Sequence, residues 1–519
     1  MDTTTAVSVL PPIAVLMPIL GAVLAVPLGR ISEKARSIGL AALCAVVAGV
    51  SIAMIPGVLG GTDYVTHLVT LTPSIWVYLR VDALGALFGA TASCLWLLAL
   101  VYSAGYMADE HRLGRYYSFF MLCLGWTLGV AYAGNLLTFL IFYELFSILT
   151  YPLVVHEETP EAMAAGTKYI IYILIGGSLV LLAVVFTYFV AGTQTLTPGG
   201  ILSAEIGRSQ LILIFWCFIA GFGVKAALVP LHGWVPDAHP AAPAPFSAVL
   251  SGVMVAAGTF GIVRVIFQVF GVELLAELGV APYLAGIAAF TIVFAGILAI
   301  NQDNLKRRLA YSTISQMGYV TLGVALLSQS ALTGALVHIA NHAFMKGTLF
   351  LAAGLLIKRA GIRNVSEMPG IARRMPVTMA AFAIAALGMI GTPPLSGFVS
   401  KWYLGLGMLD AGQPLYLAVL LGGALLAAIY LLPIVYTAYF KPPPPANPVA
   451  RDATPTAGTA EGAHSPSGEA DASGGREAPL TMLGPLLVAS ALTIVLGVAA
   501  SVPGLPLSLA QRAAGIFFP

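Results

Sequence analysis

Stretches of about twenty apolar residues recur along this chain from end to end, each long enough to cross a hydrocarbon layer as a helix. Fourteen are predicted: 7–28, 38–58, 83–107, 116–133, 135–155, 163–191, 210–229 with a short continuation, 245–270, 281–300, 309–327, 331–357, 377–409 with an interruption, 415–439 and 479–502. Between the second and third spans, residues 62–81 alternate polar and apolar side chains, which predicts a small surface hairpin. The fold class is therefore an all-α polytopic membrane protein.

Two spans are broken. The seventh meets Pro230, and the twelfth meets Gly391, Thr392, Pro393, Pro394, Leu395, Ser396 and Gly397 in succession. Proline removes a ladder donor and clashes with the preceding turn, so each break leaves two half-helices. The breaks lie five helices apart, and an odd interval turns the second unit upside down relative to the first. Two inverted five-helix repeats follow, helices 4–8 (116–270) and helices 9–13 (281–440). Paired broken helices of this kind point to a transport site. Three N-terminal helices (1–115) precede the repeats. A Pro/Ala/Gly/Ser-rich stretch (441–478) is predicted to be a disordered linker. A last helix and a surface segment (479–519) close the chain.

Composition fits this pattern. The chain is 59% hydrophobic and 9% charged, against about a quarter charged in soluble domains. Of its 24 Lys and Arg residues, 16 fall in odd-numbered connections. That bias predicts cytoplasmic odd connections, a cytoplasmic 441–478 linker and both termini outside. No basic residue precedes the first apolar run, so no cleavable signal is expected. The four cysteines are scattered and form no CxxC pair, and no G-x-G-x-x-G follows a strand. No metal, iron–sulfur, nicotinamide or flavin site is predicted.

Charges inside the spans are costly and are the candidate chemistry. Glu144 lies ten residues into the fifth span. Lys225 precedes the first break, and Lys401 follows the second. His338, His342 and Lys346 are spaced i, i+4, i+8, so they share one helical face at about 6 Å per step, the geometry of a water-bridged proton relay. The bland alternatives are snorkelling for Lys225 and a satisfied polar seam for the histidines. Lys168, His232 and Lys306 are secondary candidates near the cytoplasmic side. A buried Glu–Lys pair keeps both groups charged, and separating it favours proton release or uptake. One deep carboxylate argues for protons over sodium, which wants several converging oxygen ligands.

At these residues the chain resembles the antiporter-like subunits shared by respiratory complex I, Mrp-type cation/proton antiporters and membrane-bound hydrogenases. The resemblance rests on NLLTFLIFYELFSILTYPLV, VKAALVPLHGWVPDAHPAAPAPFSAVLSG, NLKRRLAYSTISQMGYV, HIANHAFMKGTLFLAAG and GTPPLSGFVSKW. It implies a fourteen-helix core and a central polar axis. Along that axis Glu144 and Lys225 are the switching pair, the His338/His342/Lys346 group continues the relay and Lys401 faces the outer exit. With Lys401 in its twelfth helix, the chain resembles the D-type Mrp members more than the complex I subunit that carries an acid there. Ala256 stands where several members carry a Lys or His in the eighth helix. The function implied is a proton-conducting subunit in a prokaryotic plasma membrane, with other membrane subunits and lipids as partners and protons or Na+ as the ions moved. The alternatives are a hydrogenase-linked pump subunit and a membrane subunit that energises inorganic carbon or other solute uptake with a soluble partner.

Overall fold

The computed structural model describes residues 4–72, 75–443 and 477–518. Most of the predicted 441–478 linker lies outside the described residues.

Among the described residues, eleven helices are long and apolar enough to cross a membrane. The remaining predicted spans are also helical, at Leu113–Ala131, Leu305–Ala325 and the two halves Pro376–Ile390 and Ser396–Asp410. Helix ends follow local chemistry. The Asp82 carboxylate accepts from the Gly85 N–H to start Ala83–Tyr106. Thr159 does the same for Ala162 at the start of Pro160–Ala191, and Gly192 ends that helix in the left-handed region. These side chains and turns satisfy backbone groups that lipid cannot.

The alternating stretch forms strands β2 (Thr62–Thr72) and β3 (Ile75–Val81), paired antiparallel. A strand that the apolar pattern hides, β1 (Thr4–Val7), pairs parallel with β2, so the first helix begins at Leu10. β3 is mostly buried, because its residues pack beneath the connections around it.

The connections sort by parity. Asn135, between the fourth and fifth helices, bridges Thr195, between the sixth and seventh. Asn304, between the ninth and tenth, bridges Asn364, between the eleventh and twelfth. Even connections touch even ones and odd touch odd, as they must if every span between them crosses.

The centre of the bundle is the eleventh helix, Gln329–Ala360, in which every residue from Ala331 to Leu356 is buried. The eighth helix beside it runs Ala244–Phe270, is also wholly buried, and contains two π-helical stretches, Leu250–Met254 and Val265–Phe270. Such wide turns are rare and cluster at functional sites. The first, sixth and thirteenth helices are peripheral and turn side chains such as Leu20, Leu174 and Leu421 outward. The seventh helix stops at Lys225, well before Pro230, and resumes at Val235–Ala241. The expected break is therefore wider than the proline alone dictates. Beyond the last span, Pro506–Phe517 is an amphipathic helix with Leu507, Leu509 and Ala510 turned inward.

Candidate functional site

The break leaves Lys225 as the terminal residue of its half-helix and fully buried. Its Nζ donates to the Tyr169 hydroxyl at 3.0 Å, and that hydroxyl donates to the Ser147 carbonyl at 2.8 Å. The rings of Phe146, Tyr169 and Trp234 surround the ammonium at 4.2, 5.3 and 5.9 Å. Trp234 is fixed by its own N–H, which donates to the Val224 carbonyl at 2.8 Å. Desolvated cation–π contacts of this kind are worth about 2 kcal/mol. An aromatic cage and a hydroxyl hold Lys225.

Glu144 stands apart on Leu136–Leu149, half-buried. Its Oε1 has no hydrogen-bond partner among the described residues. Gly177 of the sixth helix packs so closely that a Cβ there would overlap the carboxylate. Glu144 and Lys225 act on each other through space without forming an ion pair. The switching pair that the resemblance implies is thus a separated pair in this structure, because Tyr169 occupies the amine.

The eighth helix lies between this pair and the eleventh. Its Gly258 abuts Ala226, and its Gly252 abuts Ala343. Ala256 is buried and supplies no polar group; one turn earlier, the Ser251 and Thr313 hydroxyls pair at 2.7 Å.

The second group is a chain of buried polar side chains. Lys346 Nζ donates to the Leu309 carbonyl at 2.8 Å. His342 follows one turn away beside Gly252 of the eighth helix, and its ring centroid is 6.0 Å from that of His338. His338 Nε2 is 3.0 Å from Gln316 Oε1, and Nδ1 is 2.8 Å from Ser400 Oγ. With the Gln316 amide oriented this way, Nε2 carries a hydrogen. Nδ1 then accepts from Ser400 when the ring is neutral and donates to it when the ring is charged. Ser400 has an alternative acceptor, the Gly397 carbonyl at 3.0 Å, so its hydroxyl can turn either way.

Lys401 follows Ser400. Its Nζ donates to the Met389 and Ile390 carbonyls, both at 2.8 Å, and lies 5.1 Å from the Tyr319 ring centre. Those carbonyls end a half-helix, where the partial charge is negative and favours a cation.

At the opposite end, Lys306 Nζ donates to the Ala242 carbonyl at 2.5 Å and the Pro240 carbonyl at 3.2 Å. The charges of both Lys306 and Lys346 act on His239, a buried residue of the second seventh half-helix. Its ring stacks on Phe350 at 5.1 Å, and neither of its nitrogens has a hydrogen-bond partner among the described residues. Sequence reasoning missed His239, Gln316, Ser400 and Tyr169. A signal existed for two of them. His239 lies in the segment after Pro230, in DAHP, and Gln316 lies in YSTISQMGYV, a span unusually rich in hydroxyls.

Lys306 lines a cavity of about 720 Å³ shared with Glu157, Lys168, Asp237, Arg307 and Arg363. Asp237 pairs with Lys168 at 2.7 Å and Arg307 at 2.9 Å. Two of the secondary candidates, Lys168 and Lys306, are thus brought together. His232 is not; its ring faces Phe294 at 5.7 Å.

At the other end of the eighth helix, a buried charge network joins Arg264 to Asp82 through both guanidinium ends. Arg264 Nη2 is 2.9 Å from Asp82 Oδ1, and Gln268 Nε2 donates to Asp82 Oδ2 at 3.2 Å.

Residues 133–427 match the family model described as NADH:quinone oxidoreductase/Mrp antiporter, TM. The chain is 35% identical to NADH-quinone oxidoreductase subunit N of Desulforudis audaxviator over 94% of its own length and 95% of that protein. It is 33% identical to hydrogenase-4 component B of Escherichia coli over 63% of its length and half of that protein. Its fold is similar to a chain of the Mrp complex from Dietzia sp., with a TM-score of 0.83, 24% identity and coverage of 98% and 97%.

Proposed function

The chain belongs to the NADH:quinone oxidoreductase/Mrp antiporter family of membrane subunits, and from that premise we propose that its buried polar residues carry protons across a prokaryotic plasma membrane. It is an antiporter-like subunit of a multisubunit membrane complex, and its partners are other membrane subunits. The observation that carries the proton reading is the series Lys306, His239, Lys346, His342, His338, Ser400 and Lys401, which links one face of the bundle to the second break. Each member is titratable or a hydroxyl, and water bridges the gaps.

We read the cavity side as cytoplasmic and the termini as outside; the basic bias of the odd connections supports this. We read helices 4–8 and 9–13 as inverted repeats, with one lysine at each break. Glu144 and Lys225 supply the switch in the first repeat. The carboxylate is half-buried, and its Oε1 has no partner among the described residues, so its charge is open to influence from a group that approaches it. A cation approaching Glu144 would hold its charge and draw it from Lys225, easing proton loss from the lysine.

The test is proton movement in vesicles that contain the assembled complex. Lys346→Ala is expected to stop proton movement while every subunit still co-purifies. Undiminished movement in that variant would overturn the reading.

A further inference from the structure

The cavity beside Lys306 is built to hold water and protons. Its charges are mixed: Glu157, Glu161 and Asp237 face Lys168, Lys306, Arg307 and Arg363, and Asp237 bridges Lys168 and Arg307. An anion or cation site would show an excess of one sign, and an apolar ligand would not enter a wall of charges. Glu157 stands apart from those pairs. It lies in the connection between the fifth and sixth helices, outside the spans, and its side chain reaches the cavity solvent. It makes no ion pair among the described residues, yet it feels Lys306 from the tenth helix and Arg363 from the eleventh–twelfth connection. Glu110 and His111, from the third–fourth connection, face it as well, and Tyr106 borders the same cavity.

We propose that this cavity is the proton-loading vestibule and that Glu157 is its proton-collecting carboxylate, passing protons through water to Lys306 and then His239. This deepens the reading given above and rests on it. The geometry suits transfer more than storage. A direct Glu157–Lys306 salt bridge would lock the proton on the lysine, whereas a water-filled gap lets it pass in either direction. Lys306 is held by two backbone carbonyls at the end of the second seventh half-helix, and His239 precedes Pro240, one of the two residues supplying them. The proton goes from the Glu157 carboxyl to water, from water to the neutral Lys306 amine, and from the resulting ammonium towards the unpartnered His239 ring. Every transfer conserves charge and needs no further reactant. Partial desolvation in the cavity, and next the nearby Glu110, raise Glu157 from the ordinary glutamate value, while Lys306, His111 and Arg363 oppose that. A carboxyl so raised keeps its proton closer to neutral pH, where a collector must work.

The experiment is proton movement by the complete complex in vesicles, measured between about pH 6 and pH 8 for wild type, Glu157→Gln, Glu157→Asp and Lys346→Ala. Glu157→Gln is expected to slow movement by about tenfold at the alkaline end, where free protons are scarce, and by less than about twofold at the acidic end. Glu157→Asp should restore most of the rate. A purely structural role for Glu157 would give a loss independent of pH. A flat profile, or a Glu157→Gln rate equal to wild type at every pH, overturns the vestibule proposal. If Lys346→Ala stops movement while Glu157→Gln has no effect, only the loading step falls; if Lys346→Ala also moves protons normally, the proton-path reading itself fails.

Discussion

Lys225 Nζ and the Tyr169 hydroxyl are 3.0 Å apart, and that bond leaves Glu144 to act on the lysine without touching it. A contact ion pair would need several kcal/mol to pull apart in a low-dielectric interior. A lysine held by a neutral hydroxyl and aromatic faces has a smaller barrier to changing its charge. In the proposed switch the carboxylate acts as a bias on the lysine.

Tyr169→Phe tests the hydroxyl. It keeps the ring against Lys225 and Trp234 and removes the acceptor. Leaving a buried amine short of one partner costs about 1–3 kcal/mol. The variant should assemble with a slightly lower thermal midpoint and move protons several times more slowly. Wild-type rates would mean that Tyr169 only fills space.

Glu144→Ala and Lys225→Ala should each abolish proton movement while co-purification with partner subunits is retained. Among the described residues, neither side chain makes an ion pair that braces the fold. If either variant loses its partners instead, that residue is structural.

Gly177 offers a subtler probe of the same switch. A Cβ in Gly177→Ala would meet the tip of the flexible Glu144 side chain, which can swing away. Thermal stability should therefore change little and proton movement a great deal. A large fall in thermal midpoint with an unchanged rate would show that the contact is only packing.

Ser400→Ala addresses the second half. It leaves the His338–Gln316 bond in place and removes the hydroxyl that connects His338 towards Lys401. Proton movement should fall, and Ser400→Thr, which keeps the hydroxyl, should recover part of it. Equal rates in the alanine and threonine variants would take Ser400 out of the path.

Much of this is legible in the sequence, for a physical reason. Membrane spans announce themselves by length, and a charge within one is rare enough to stand out, so Glu144, Lys225, Lys346 and Lys401 are visible as candidates. What stays hidden is pairing. Nothing in the linear order says that Tyr169 reaches Lys225, or that Gln316 and Ser400 clasp His338 from two other helices. His239 is concealed by its neighbours, since a histidine among prolines looks like part of a loop until the second half-helix buries it within electrostatic reach of Lys306 and Lys346. β1 is hidden because four residues beside a long apolar run carry no period of their own.

Arg264 is a charge within a span, and its partner explains why the membrane tolerates it. Asp82 caps the third helix through the Gly85 N–H and receives both ends of the Arg264 guanidinium, with Gln268 as a further donor. Arg264 also donates to the Ala131 carbonyl at 3.1 Å, tying the start of the third helix and the end of the fourth to the eighth. Replacing one partner leaves a buried charge uncompensated, at a cost of about 3–5 kcal/mol. Arg264→Met should therefore lower the thermal midpoint of the purified complex sharply, and adding Asp82→Asn should restore much of the loss, because the cap survives while the stranded charge does not. If Arg264→Met leaves the midpoint unchanged while slowing proton movement, the network belongs to the conduction path instead of the scaffold.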